Sequence, residues 1–225
     1  LAGTEPGHLG IIQPLPALAE SHRPSRAHLP HNLPAPLTSF VGREAKLAHI
    51  VRLLSSQDCR WLTLTGPGGA GKTRLALQAA LALLNGSAPL ACPFTDGIWY
   101  IPLSDLEPTA DAWIAALAQT LNISLEKAAQ PKAALLAALR QRRLLLLRDN
   151  AENAVGGCDL LLEILRAAPG VACLVTSLWR LNYQAEFVIE VDGLPYPPAE
   201  IASTAEGAAL QAQFHSTGDS AMQYL

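Results

Sequence analysis

Cysteine is scarce in this chain of 225 residues and follows no pattern: Cys59, Cys92, Cys158 and Cys173 stand far apart with no C-x-x-C pair. That spacing argues against a zinc site or a disulfide framework and points to single thiols in a reducing compartment. Charge is sparse too. Asp, Glu, Lys and Arg make up 16% of the residues, and 16 basic against 19 acidic side chains leave a net charge of -3. Without a basic excess the segment lacks the electrostatic footprint for gripping nucleic acid, so DNA contact is expected only through a domain not present here. No apolar run reaches the roughly 18 to 20 residues that span a bilayer. Nor does the N-terminus carry a basic stretch followed by an apolar one. A cytoplasmic location with no membrane partner is the expectation. No internal repeat is found.

What the chain does contain is the run Gly66-Pro67-Gly68-Gly69-Ala70-Gly71-Lys72-Thr73, which fits the phosphate-binding pattern G-x-x-x-x-G-K-[ST] at every fixed position. Before it lies Trp61 to Thr65, an apolar and β-branched run that predicts a buried strand. After it, Arg74 to Leu84 is rich in Leu, Ala and Gln and predicts a helix that stops near Asn85-Gly86. Strand, glycine loop and helix are what polyphosphate binding requires. Glycines let the backbone adopt positive φ and turn its N–H groups toward phosphate oxygens, and a helix opening at Lys72 adds its own N–H groups and positive dipole end. Lys72 is expected to reach the β- and γ-phosphates and the Thr73 hydroxyl to ligate Mg²⁺.

Residues 1 to 36 hold seven of the chain's prolines, Pro6, Pro14, Pro16, Pro24, Pro30, Pro34 and Pro36, with His8, His22, His28 and His31 among them. Such a segment blocks helix and ladder hydrogen bonds alike and reads as a disordered linker or tail. From Leu37 the pattern changes. Ala45 to Leu54 predicts a helix, Ile98 to Leu103 a strand, Asp111 to Leu121 and Pro131 to about Gln141 helices. Leu144 to Leu147 is a continuous apolar run, as in a central strand buried on both faces, and it delivers Asp149 to the C-terminal sheet edge where α/β folds bind ligands. Asp149 is placed to hold Mg²⁺ opposite Thr73; capping of the following helix is the competing role. Leu160 to Ala168 predicts another helix, Val171 to Ser177 a strand bringing small polar groups to the same edge, and Phe187 to Val191 a fifth strand. Leu194 to Pro198 reads as a turn and Ala205 to Phe214 as a helix. Alternating strands and helices imply an α/β, three-layer P-loop NTPase with a mainly parallel five-stranded sheet flanked by helices. The expected division is a tail at 1–36, the NTPase domain at 37–214 and a truncated C-terminal tail at 215–225.

The segments Leu37 to Glu44, Leu62 to Arg74, Asp149 to Glu152 and Val175 to Ser177 resemble the NTPase module of STAND-class AAA+ relatives, which include the NB-ARC domains. The resemblance is strongest to bacterial transcriptional regulators with a BTAD or winged-helix effector. It implies binding of ATP or ADP that switches the protein between resting and signalling states, with self-association in the ATP state. It also places Val41, Gly42 and Arg43 beside the adenine. The nucleotide-binding set is then Val41, Gly42, Arg43, Gly66, Pro67, Gly68, Gly69, Ala70, Gly71, Lys72, Thr73 and Arg74, with Thr73 and Asp149 on the metal.

Three positions depart from that pattern. Arg148 stands where an aliphatic residue usually precedes the metal-holding Asp, so it needs a carboxylate partner or an escape to solvent. Leu178-Trp179-Arg180 follows Thr176-Ser177 where relatives carry Arg at once; if the backbone stays extended, Arg180 keeps the face and senses the γ-phosphate. Asn150 occupies the place of a second, water-activating acid, for which Glu152 is the nearby candidate. Slow Mg²⁺-dependent ATP hydrolysis at most is therefore expected. The function implied is a nucleotide-dependent regulatory switch in a signal-transduction protein. A turnover-driven AAA+ type ATPase and a degenerate scaffold are the alternatives.

Overall fold

A computed structural model describes residues 29–36, 38–40, 42–56, 58–86, 92–101, 109–125, 128–153 and 155–193. Five helices alternate with five strands: α1 (Glu44–Ser55), β1 (Trp61–Thr65), α2 (Lys72–Leu84), β2 (Ile98–Ile101), α3 (Ala110–Thr120), α4 (Pro131–Leu139), β3 (Leu145–Arg148), α5 (Val155–Ala167), β4 (Ala172–Ser177) and β5 (Phe187–Glu190). A single turn of 3-10 helix, Ala151–Asn153, precedes α5.

The strands form one sheet in the order β2-β3-β4-β1-β5, and every neighbouring pair is parallel. β4 is thus inserted between the strand that feeds the glycine loop and the strand that ends at Arg148. Every residue of β1, β3 and β4 is buried, as continuous apolar runs require when helices cover both faces. Leu62, Leu64, Leu145, Leu147 and Leu174 pack under α1 and α2. Trp61, Leu146, Cys173 and Val175 pack under α3, α4 and α5. Period-two alternation therefore splits each central strand between two cores. The outer strand β5 is less covered, and Phe187 is exposed.

The sheet does not stop at β2. Ile98 N–H donates to the Pro30 carbonyl at 3.1 Å, and His31 forms a parallel bridge with Ile98. The Asn32 side chain then takes both backbone groups of Tyr100, accepting from its N–H at 2.6 Å and donating to its carbonyl at 2.8 Å, while Leu33 is buried. The expected tail therefore needs correction over its last residues, because 30–33 dock on the sheet edge. Pro30 and Pro34 cannot donate to a ladder, and the Asn32 amide supplies a donor and an acceptor between them. Residues 1–28 lie outside the described residues, as do Leu37, Pro102, Leu103, the turn at 194–198, the helix at 205–214 and the tail at 215–225.

Helix α5 begins earlier than the predicted Leu160, running through Gly156 and Gly157. Glycine reads as a breaker in sequence, but here space decides: a Cβ on Gly157 would sit 2.2 Å from the Trp113 ring. At its other end Arg60 reaches the carbonyls of Leu165, Ala168 (2.8 Å) and Val171 (3.1 Å), satisfying acceptors that a helix terminus leaves open. Among the described residues no helix is long and apolar enough to cross a membrane.

Candidate functional site

The glycine loop leaves β1 at the C-terminal edge of the sheet. Gly66, at φ 148°, lies so close under the chain leaving β5 that a Cβ there would stand 2.2 Å from the Val191 carbonyl oxygen. Val191 N–H in turn donates to Thr65 at 2.7 Å. The loop turns through an Ala70 N–H bond to the Pro67 carbonyl and passes Gly71 at φ 78°, the left-handed N-cap of α2. That cap has no side-chain acceptor, so the first-turn N–H groups of α2 are left for another partner. Pro67, Gly68, Gly69 and Gly71 are exposed, and a Cβ at Gly68 or Gly69 would meet nothing within 4 Å. The concave backbone is thus open on its outer side, a cradle of suitable shape for an anion.

Lys72 is 7% exposed, and its ammonium donates to the carbonyls of Gly66 (2.8 Å) and Pro67 (2.9 Å). A cation is thereby fixed at the mouth of the loop. The next residue, Thr73, donates its hydroxyl to Asp149 Oδ1 at 2.7 Å. The two groups expected to share a metal, 76 positions apart in sequence, are in contact. Thr176 completes the cluster from the intervening strand: its hydroxyl also donates to Asp149 Oδ1 and accepts from Asn150 N–H at 3.1 Å. Thr176 is absent from the predicted site residues; the sequence signal was the small polar end of the 171–177 run, but only the strand order makes it a bridge.

Among the described residues no group of three or more His, Cys, Asp or Glu side chains could hold a metal. Thr73 and Asp149 offer hard oxygen donors in a small number. That set fits Mg²⁺, which keeps several waters and draws further ligands from phosphate, better than it fits zinc or calcium.

Around the loop, Gly42 (φ 75°) and Arg43 (φ 65°) form the left-handed entry to α1. The Arg43 guanidinium donates to the carbonyls of Ala70 and Asp192, joining the loop to the exit from β5. Partial burial pushes its pKa below the ordinary arginine value, and nearby Asp192 acts in the opposite direction. Arg74 donates to the Ser39 carbonyl. Val41 lies outside the described residues.

The remaining predicted positions sit at the same edge. The Glu152 carboxylate, in the 3-10 turn, accepts from Leu178 N–H at 3.2 Å. β4 ends at Ser177, whose hydroxyl accepts from Trp179 N–H at 3.4 Å. The chain then bends and descends toward the start of β5, with Tyr183 stacked on Trp61 at a centroid distance of 4.9 Å. Alternation along an extended strand therefore gives Arg180 no support as a γ-phosphate sensor; it is exposed on this connection.

Escape to solvent is not how Arg148 is accommodated, since it is 2% exposed. Its guanidinium lies 3.9 Å from the centroid of the Trp113 ring, with Nη1 2.9 Å from Cys158 Sγ and Nη2 donating to the Ala151 carbonyl at 3.3 Å. Burial lowers its pKa, while Cys158, Cys173 and Glu152 raise it. Desolvating an ion costs several kcal/mol. A desolvated cation–π contact returns about 2 kcal/mol and a hydrogen bond from a charged group about 1.5 to 3, so these partners are of the right size to retain the charge.

No family model matches the chain. It is similar to an uncharacterized protein of Mycobacterium tuberculosis (strain H37Rv), 32% identical over 172 residues, which is 76% of this chain and 41% of that protein. A second M. tuberculosis protein, provisionally named an HTH-type transcriptional regulator, is 32% identical over 149 residues, 64% of this chain and 15% of the relative. A nucleotide-binding leucine-rich repeat (NLR)-like protein of the fungus Hyaloscypha variabilis is 40% identical over 50 residues, 20% of this chain and 5% of its own length. The chain spans less than half of each of these relatives.

Proposed function

We propose that this chain is the ATP- and ADP-binding module of a STAND-class regulatory protein of the cytoplasm, a switch whose two nucleotide states differ in what they contact. The observation that carries the reading is the Thr73 hydroxyl against the Asp149 carboxylate at 2.7 Å, beside a glycine loop with the buried Lys72 ammonium at its mouth. Polyphosphate would be held by the 66–73 backbone and by Lys72, which exchanges its two carbonyl acceptors for phosphate oxygens. Bound Mg²⁺, on Thr73 and Asp149, supplies charge neutralisation that ATP and ADP draw on differently. Gly42 and Arg43, beside the loop, form the adenine end. The relative named as an HTH-type regulator supports a role in transcription, with DNA contact falling to another domain and self-association to the ATP state.

Hydrolysis is expected to be slow, because Asn150 replaces a second acid and the Glu152 carboxylate is engaged by Leu178 N–H. The test is a calorimetric titration of the protein with ATP, ADP and GTP, with Mg²⁺ and in EDTA, beside Lys72→Ala. Micromolar adenine-nucleotide binding that strengthens with Mg²⁺ and weakens at least tenfold in Lys72→Ala, about 1.4 kcal/mol, is the expected result. No binding by the wild-type protein would sink the reading. Turnover on the order of 10 s⁻¹, typical of dedicated enzymes, would replace it with a turnover-driven ATPase.

A further inference from the structure

The residue immediately before the candidate metal carboxylate is a fully buried cation, and its partners lie on three separate pieces of the chain. β3 ends at Arg148, so strand alternation sends its side chain to the α3–α5 face while Asp149 stays at the loop edge. From there the guanidinium meets Trp113 of α3, Cys158 of α5 and, turning back, the Ala151 carbonyl three residues ahead of its own backbone. The segment it spans is the turn that carries Asp149. Asn150 holds that turn in the left-handed region at φ 51°, a conformation Asn tolerates better than most residues. Thr176 secures the turn from β4 through Asn150 N–H, and Glu152 secures its far end through Leu178 N–H. Arg148 secures it from beneath.

We propose that Arg148 is a positioning residue for the metal: its guanidinium, braced on Trp113 and Cys158, fixes the 149–151 turn so that the Asp149 carboxylate stays within bonding reach of Thr73 and of a Mg²⁺–nucleotide. An aliphatic side chain of similar length would fill the same volume and give Ala151 no donor. Mg²⁺ demands near-ideal octahedral geometry, so a carboxylate displaced by a fraction of an ångström loses metal affinity before the fold is affected. Phosphate contacts made by the 66–72 loop do not pass through this turn. The proposal rests on the nucleotide-binding reading, and it predicts a split that core packing alone does not produce.

The experiment compares wild type, Arg148→Met and Arg148→Lys by thermal unfolding and by ATP affinity with Mg²⁺ and in EDTA. The ratio of the two affinities is the magnesium gain. Replacing a buried ion by an apolar side chain of similar size is often neutral for stability, so Arg148→Met is expected to unfold within about 5 °C of wild type. Its affinity in EDTA stays at the wild-type value while its magnesium gain falls about 10- to 100-fold, the size of loss seen when a residue behind a metal ligand is removed. Arg148→Lys falls in between, since one ammonium cannot serve both Ala151 and Cys158. A wild-type magnesium gain in Arg148→Met overturns the proposal and leaves the nucleotide reading standing. Parallel loss of both affinities with a lowered unfolding temperature also overturns it, in favour of a packing role. Should Arg148→Met fail to fold, Arg148→Lys decides, and a change in its gain of less than about twofold counts against the proposal. A wild-type protein that binds no ATP in either buffer overturns both.

Discussion

The Thr176 hydroxyl accepts from Asn150 N–H and donates to the Asp149 carboxylate, so one side chain of β4 serves two groups of the turn beyond β3. Thr176→Val keeps the shape and removes both bonds, leaving a buried N–H without its acceptor. A loss of about 1 to 3 kcal/mol in urea unfolding is expected, and Mg²⁺ should strengthen ATP binding less than in wild type; unchanged stability would show that the hydroxyl is replaceable. Lys72, Thr73 and Asp149 were legible in the sequence because a short pattern and an apolar run ending in Asp each have a local meaning. Thr176 was not, since its role depends on which strand lies between β1 and β3. The buried state of Arg148 was equally hidden, because Trp113 and Cys158 reach it from helices 35 positions before it and 10 after it.

At the scale of elements, the strands were the easiest to read, because runs such as Leu144 to Leu147 and Val171 to Ser177 admit few other arrangements when both faces are covered. Misreadings fell where an element depends on a distant neighbour: the first turn of α5, which needs Gly157 for the Trp113 ring, and the strap at 30–33, where Asn32 stands in for a ladder. Arg60 is a third instance, a loop residue that closes the C-terminus of α5 from 105 to 111 positions away. Its three carbonyl contacts give it more weight than a surface arginine. Arg60→Ala should cost about 2 kcal/mol in urea unfolding and speed amide exchange in the last turn of α5 and at Val171, with the glycine loop unaffected. A cost below about 0.5 kcal/mol, the range of ordinary surface substitutions, would mean that water caps the helix as well.

For the molecule as a whole, the two cores on either side of the sheet hold thiols as well as hydrocarbon, and this gives stability a pH dependence at the alkaline end. Cys173, wholly buried under α5, has its pKa pushed up to about 12 from the ordinary 9.0, chiefly by burial; Arg60 and Arg148 act against that shift. Cys59, buried against the other core, is pushed up to about 11 by burial. In both cases the folded value lies above the unfolded one. Below pH 9 both states hold the protons and the contribution to stability is complete. Between pH 9 and about 11 to 12 the unfolded chain has released protons that the folded chain keeps, so it binds fewer and stability falls as pH rises. Each thiol contributes a slope of at most about 1.4 kcal/mol per pH unit in that window. Urea midpoints measured from pH 7 to 10.5 should be level with respect to these thiols up to about pH 9 and then decline. Cys173→Ala is expected to lower stability at every pH, because it leaves a small cavity, yet to make the alkaline decline shallower, because the unfolded state has one proton fewer to lose. If the decline were as steep in Cys173→Ala as in the wild-type protein, its source would lie in other groups and the buried thiol would not be the cause.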